Sequence, residues 1–267
     1  MNLNGYGLYD IGYAIDAGRK RKGGPNQDSI VVLLPEPDRT LPPILVVADG
    51  MGGYSGGAIA SQTIIQEFSS QYKDFKSESF SMQGFATKVI DDALTEMQQK
   101  AVVDPQLANM GSTVVALCVE EKKVGVVNIG DSRAYLFCNG EVKQLSYDHS
   151  FIGEAMRAGL LTPEQAAIHP KKNQLTQSIS ARRTALTPFF AEYPLERNDV
   201  LLICSDGLWG VVSEAIMQAV VLEMPPQAAA EKLVKLANSR GGPDNISVIV
   251  CRRVDSEPVL PRIIGED

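Results

Sequence analysis

Apolar positions along the chain come in short, unbroken runs separated by polar or glycine-containing turns. Ile30–Leu34, Ile44–Ala48, Thr113–Val119, Val124–Ile129, Ala134–Cys138, Val200–Cys204 and Ile246–Cys251 are partly β-branched and too short for helices, which predicts strands. Asn139-Gly140 sits between Tyr135–Cys138 and Glu141–Leu145. Both turn residues tolerate positive φ, so this is a two-residue hairpin signal and the sheets are at least partly antiparallel.

A second period appears between the strands. Ala60, Ile64, Ile65 and Phe68 recur at helical spacing, as do Met82, Phe85, Val89, Ala93 and Met97. Thr162-Pro163-Glu164-Gln165 has the form of a capping box with proline at the first helical position. Ser213 is placed to cap a helix through Val221, and another is expected from Pro226 to Arg240, stopped by Gly241. Grouped strands with helices between them predict an α+β fold, a four-layer αββα sandwich of two mainly antiparallel sheets flanked by helices.

No repeat, low-complexity stretch or Pro/Gly/Ser-rich linker divides the 267 residues, so residues 1–253 are expected to form one domain. Residues 254–267, with prolines and acidic side chains, are expected to form a surface tail. The first residues hold neither the basic cluster nor the apolar run of a secretory signal, and no apolar stretch has the length of a membrane span. Cys118, Cys138, Cys204 and Cys251 lie in or after strand-like runs without metal-ligand spacing, which fits free thiols in a cytoplasmic protein. The net charge of −7 argues against nucleic-acid binding.

The acidic residues that carry chemistry stand at strand ends. Asn26-Gln27-Asp28, Ala48-Asp49-Gly50-Met51-Gly52-Gly53, Gly130-Asp131-Ser132-Arg133, Ser205-Asp206-Gly207 and Pro243-Asp244-Asn245 each place an aspartate at the end of an apolar run or in the following turn. Strands hold their terminal residues well, and glycine lets other groups approach the backbone. Crowded carboxylates repel one another unless a cation is present, and oxygen ligands select hard cations such as Mg²⁺, Mn²⁺ or Ca²⁺. Any one Asp-Gly pair is ordinary turn chemistry; five in concert are not.

These motifs resemble the type-2C, or PPM, metal-dependent protein serine/threonine phosphatases in their compact bacterial form. The likeness runs from about Gly12 to Arg253 and is carried by ADGMGGYSGG, GSTVVA, NIGDSRAYLF, YDHS, HPKKNQLTQSI, LLICSDGLWG and GGPDNISVIV. It implies that Asp49 bridges two Mn²⁺ or Mg²⁺ ions with the Gly50 carbonyl as a further ligand, and that Asp206 and Asp244 complete the first site. It further implies that Asp28 holds metal-bound waters, that Asp131 with Asp206 forms a weaker third site, and that Asn245 orients Asp244. Residues 149–180 would be a mobile flap. The implied reaction is in-line attack of a metal-bridging hydroxide on phosphoserine or phosphothreonine, two ions roughly 3.5–4 Å apart lowering the pKa of the water. The implied partners are phosphoproteins made by a serine/threonine kinase, met by a monomeric enzyme.

Other phosphatase chemistries are excluded by absence. No cysteine has an arginine six positions on, no D-x-D occurs, only His149 and His169 are present, and there is no G-x-x-x-x-G-K-[ST] loop. The chain departs from the family pattern in places. The family's phosphate-binding arginine falls at Gly23, and the upstream run Arg19-Lys20-Arg21-Lys22 offers Arg21 or Arg19 in its stead, or is simply four solvated charges. Gln27 replaces a frequent glutamate, Tyr54 a frequent histidine, and the flap reads Leu175-Thr176-Gln177-Ser178-Ile179-Ser180. The alternative to an active enzyme is a pseudophosphatase that binds phosphoproteins without turnover. Trp209 is expected to pack in the core, Ser112 and Thr113 to support the metal site by hydrogen bonding, and His149 to stabilise a turn or belong to the flap.

Overall fold

A computed structural model describes residues 9–36, 41–53, 55–76 and 79–254. Tyr54 and the tail beyond Val254 lie outside the described residues. Strands β1 (Tyr9–Asp16), β2 (Asp28–Leu33) and β3 (Ile44–Met51) lead into helices α1 (Gly56–Asp74) and α2 (Met82–Val103). A 3₁₀ turn (Pro105–Asn109) is followed by β4 (Gly111–Ser112), β5 (Val114–Val119), β6 (Lys123–Ile129), β7 (Arg133–Cys138) and β8 (Glu141–Gln144). The segment after β8 holds α3 (Phe151–Arg157), α4 (Pro163–Ala167) and β9 (Ile179–Ser180). The chain closes with β10 (Phe189–Pro194), β11 (Val200–Cys204), α5 (Asp206–Trp209), α6 (Glu214–Glu223), α7 (Pro226–Ser239) and β12 (Ile246–Arg253).

One sheet runs β1-β12-β11-β7-β8; the other runs β10-β6-β5-β3-β4-β9, with β2 also paired to β3. Every named pairing is antiparallel. The strand period of two sorts side chains into three apolar layers. From β3, Ile44, Val46 and Ala48 face α1 and α2, where Phe68, Phe85, Val89 and Met97 are buried. Leu45 and Val47 point the other way, into the inter-sheet layer with Leu136, Leu201, Ile203 and Ile249. On the far face Leu202, Cys204, Val248 and Val250 pack against Met217, Val221, Leu233 and Ala237 of α6 and α7. Three apolar layers need four layers of structure, which is the αββα sandwich. Central strands buried on both faces explain the unbroken apolar runs, and each fully buried Leu, Ile or Val contributes about 1.5–3 kcal/mol.

Local signals behave as the residues dictate. Asn139 and Gly140 have φ of 51° and 80°, and Cys138 pairs with Glu141 across them. The Thr162 box makes both of its reciprocal bonds, yet its helix runs only from Pro163 to Ala167. Ser213 stands at the N-cap of α6 without a side-chain cap bond. β1, β4, β9, β10, α3 and α5 are additional to the predicted elements. β1 mixes buried and partly exposed residues without strict alternation, and Gly12 admits α7, since a Cβ there would meet the Gln227 nitrogen at 2.1 Å.

Candidate metal and active site

The aspartates meet at one rim of the sandwich because both sheets end there. Asp28 opens β2 and stands directly opposite Asp49 on β3, both in the larger sheet. Asp206 follows β11 and Asp244 precedes β12, neighbouring strands of the smaller sheet. Asp131 follows β6 in the turn that leads to β7. Asp49, Gly50, Asp131, Asp206 and Asp244 line one cleft of about 600 Å³, together with Arg21, Gln27 and Thr113. Asn173, Leu175 and Ser178 close it from the 149–180 segment.

Each aspartate is held by its neighbours, through the backbone or the carboxylate. The Asp49 carbonyl accepts from the Thr113 amide at 2.9 Å and the Ser112 hydroxyl at 3.0 Å, and the Asp49 amide donates to Thr113 Oγ1 at 3.2 Å. Ser112 and Thr113 thus support the site as expected. A Cβ at Gly50 would lie 2.0 Å from the Gly57 carbonyl, so only glycine lets α1 begin against this strand. Asp28 Oδ2 accepts from Ser205 Oγ at 2.6 Å and Ser247 Oγ at 2.7 Å, a bond from each of β11's end and β12's start. Asp28 Oδ1 is buried with no protein partner. Asn245 donates its amide to Asp244 Oδ1, accepts the Gln27 amide and donates to the Ala17 carbonyl. It therefore joins three loops as well as touching Asp244.

The Asp131 turn is braced in part by Trp209, which the motif reading placed in the core. Trp209 Nε1 donates to the Asp131 carbonyl at 3.0 Å, and the Arg133 guanidinium stacks 3.6 Å over the indole. Trp209 therefore supports the site and is more than core packing. Arg133 grips the buried Asp148 through Nε and Nη2. His149 stabilises the turn from the other side, its Nδ1 accepting from the Gly130 amide at 3.2 Å while its own amide donates to the Gly130 carbonyl. His169 stacks on Phe151 and does not line the cleft.

The two candidate arginines separate. Arg21 lines the cleft and donates Nη2 to Asp244 Oδ2 at 2.9 Å, whereas Arg19 is exposed and outside the lining. Gly23 has φ of +107°, a conformation an arginine would adopt only with strain.

Burial and mutual repulsion set the site's electrostatics. Asp28 is pushed up to about 7, chiefly by burial, with the seryl hydroxyls opposing and Asp206 and Asp244 adding repulsion. Burial raises Asp131 to about 7 and Asp206 to about 6, with repulsion from Asp206 and Asp244 respectively next in order. Asp49 is raised well above the usual carboxylate range by burial and then by Asp28. Such a set is relieved by cations. The donors are all oxygen, and the orphaned Asp28 Oδ1 suits a water of a hydrated ion, so the residues fit Mg²⁺ or Mn²⁺. Among the described residues no three acidic, histidine or cysteine side chains close on one point as a finished cage. Hydrated Mg²⁺-like ions, which retain several waters, match that open arrangement.

The sequence profile described as protein phosphatase 2C matches residues 16–238. The chain belongs to the protein phosphatase 2C family. It is 34% identical over 244 residues to the protein phosphatase PhpP of Streptococcus pneumoniae, covering 90% of this chain and 95% of that one. It is also 34% identical over 214 residues to the serine/threonine phosphatase stp of Listeria innocua, covering 79% and 84%. The crystal structure of the catalytic domain of serine/threonine protein phosphatase PstP in complex with two manganese ions superposes with a TM-score of 0.79 at 27% identity, covering 93% of this chain and 99% of that one. As a family member the chain is a metal-dependent protein phosphatase, with manganese or magnesium as its cofactor. Among the described residues no helix is long and apolar enough to cross a membrane.

Proposed function

We propose that Asp49, Asp206 and Asp244, with the Gly50 carbonyl, hold two ions at which phosphoserine and phosphothreonine monoesters are hydrolysed. The observation that carries this is the meeting of strand ends from both sheets in one acidic cleft where, among the described residues, Arg21 is the only basic lining residue. Asp131 with Asp206 would hold a third ion, and Asp28 would orient bound water through its free Oδ1. When bound, the ions supply an activated water and neutralise charge on the phosphate. Asp49 and Asp206 would hold the ions and orient water for in-line attack on the phosphorus, the seryl or threonyl oxygen leaving with a proton from solvent. Arg21 would bind a non-bridging phosphate oxygen in place of the arginine missing at position 23, exchanging Asp244 for substrate. That role weakens the case for the non-catalytic alternative.

A cysteine nucleophile is not needed. The four thiols are free and outside the cleft, and burial drives those of Cys118, Cys204 and Cys251 far above their usual range. Residues 149–180 would act as the flap, since three of them wall the cleft. The physiological substrates would be proteins phosphorylated by a serine/threonine kinase, and the enzyme would act as a cytoplasmic monomer. The test is phosphate release from a phosphothreonine peptide and from p-nitrophenyl phosphate in Mn²⁺, Mg²⁺ and EDTA. Turnover should vanish in EDTA and in Asp49→Asn, and Arg21→Ala should raise KM for the peptide. Metal binding without turnover would establish a phosphoprotein-binding pseudoenzyme instead.

A further inference from the structure

Eight of the chain's 25 basic residues fall in two short segments, 19–22 and 171–183, and neither segment holds any of the 32 acidic residues. Both border the cleft. Arg21 lines it from one segment, and Asn173, Leu175 and Ser178 from the other. Arg19, Lys20, Arg21 and Lys22 are exposed, as are Lys171, Lys172, Arg182 and Arg183. Arg21 apart, none of the eight is in an ion pair among the described residues. Their neighbours position them without neutralising them. Lys171 Nζ sits 4.8 Å over the Phe151 ring, and Arg183 donates Nη2 to the Thr176 carbonyl while its own carbonyl accepts from Gln98.

Charge accounting shows why such flanks matter. The site gathers Asp28, Asp49, Asp131, Asp206 and Asp244, five carboxylates against the four positive charges of two divalent ions. With the Arg21 guanidinium the floor holding two ions is left about neutral, in a chain whose net charge is −7. Neither attracts a phosphorylated, acidic partner from a distance; a positive rim does.

We propose that segments 19–22 and 171–183 form a paired cationic rim that selects phosphopeptides with acidic residues on both sides of the phosphorylated side chain. The inference rests on the phosphatase reading above and deepens it by naming the substrate class. Lys20 donates its amide to the Gly242 carbonyl beside the smaller sheet's Asp244, and Ile179–Ser180 pair with β4 of the larger sheet, so a peptide laid across the cleft with its phosphate on the floor meets a basic segment tied to each sheet. A continuous polyanion such as nucleic acid is less suited, because its backbone would also cross the acidic floor.

The test uses the full chain with Mn²⁺ and three phosphothreonine peptides of equal length, flanked on both sides by glutamate, glutamine or lysine. At low salt kcat/KM for the acidic peptide should exceed that for the neutral one by about tenfold, mainly through KM, and the gap should close at high salt. Lys20→Glu/Lys22→Glu and Lys171→Glu/Lys172→Glu should each lower acidic-peptide turnover several-fold more than turnover of p-nitrophenyl phosphate. Equal kcat/KM for acidic and neutral peptides would overturn the rim. So would charge reversals that lower peptide and p-nitrophenyl phosphate turnover in the same proportion. Charge reversals that spare the peptides but abolish binding to phosphatidylserine vesicles would assign the rim to a membrane surface instead. No turnover of p-nitrophenyl phosphate by the wild type would overturn the phosphatase reading itself, whereas p-nitrophenyl phosphate turnover without peptide discrimination overturns only the rim.

Discussion

A single methyl group at Gly207 tests how tightly the end of β11 and the start of β12, neighbours in the smaller sheet, must approach to assemble the site. A Cβ there would lie 1.8 Å from the Asn245 carbonyl oxygen and 2.9 Å from its carbon. Non-bonded carbon and oxygen come no closer than about 3.0 Å, so something must move by about 1.2 Å. The obstacle is backbone, not a flexible side-chain tip. It belongs to the turn that carries Asp244, while Gly207 directly follows Asp206. Gly207→Ala therefore forces two proposed ligands apart. Overpacking of this kind costs about 1–3 kcal/mol. At about 2–4 °C per kcal/mol for a chain of this size, Tm should fall by about 2–12 °C. A 1 Å misplacement at a reacting site costs about 10²-fold, and the loss should appear in kcat/KM with Mn²⁺. Gly84→Ala is the control. Its Cβ would meet nothing closer than Ser81 Oγ at 3.8 Å, and it lies inside α2, so it should be neutral or stabilising by up to about 1 kcal/mol. Differential scanning fluorimetry and phosphate release measure both variants. A Gly207→Ala protein with wild-type Tm and kcat/KM would refute the reasoning.

Chelation should make stability depend on pH in a defined direction. Asp28 and Asp131 are raised to about 7 and Asp206 to about 6, so the folded apoprotein binds more protons than the unfolded chain. Their protons stabilise fully below the usual carboxylate range, and that stability is lost as pH rises through about 6–7. Tm in EDTA should thus be higher at pH 5.5 than at pH 8, with Mn²⁺ closing the gap; an unchanged or opposite dependence in EDTA would contradict the carboxylate crowding. Arg133→Met should cost about 3–5 kcal/mol in urea unfolding, because it leaves the buried Asp148 carboxylate without its cation, with only the Gln144 amide still donating to it. Adding Asp148→Asn should recover part of that loss, and strict additivity would show that the pair is not coupled. Ser247→Ala removes one of the two hydroxyls on Asp28 Oδ2 and should cost about 1–3 kcal/mol, read in the same unfolding assay.

Much of this was legible in the chain because the physics was local. Apolar runs marked the central strands, since strands buried on both faces tolerate no polar alternation. Asn139-Gly140 specified its hairpin, and helical periodicity marked α1 and α2, which the structure packs against one sheet. Edge strands were harder to read. β10 mixes half-buried and exposed residues because it has a neighbour on one side only, which dilutes the strand pattern. The short α3 and α5 carry too few residues to show a period.

The sequence by itself determined the chemistry available: five aspartates at strand ends, oxygen donors for hard cations, and too few histidines or well-placed cysteines for other routes. Tertiary structure alone decided which groups meet. Asp28 and Ser247 are 219 residues apart, yet share a hydrogen bond because β2 and β12 end at one rim. Trp209 braces Asp131 from 78 residues away, and Arg21, not Arg19, reaches the cleft. Residue type and spacing carry local conformational preference and chemical identity, whereas partners distant in sequence are chosen by how two sheets stack and where their strands stop.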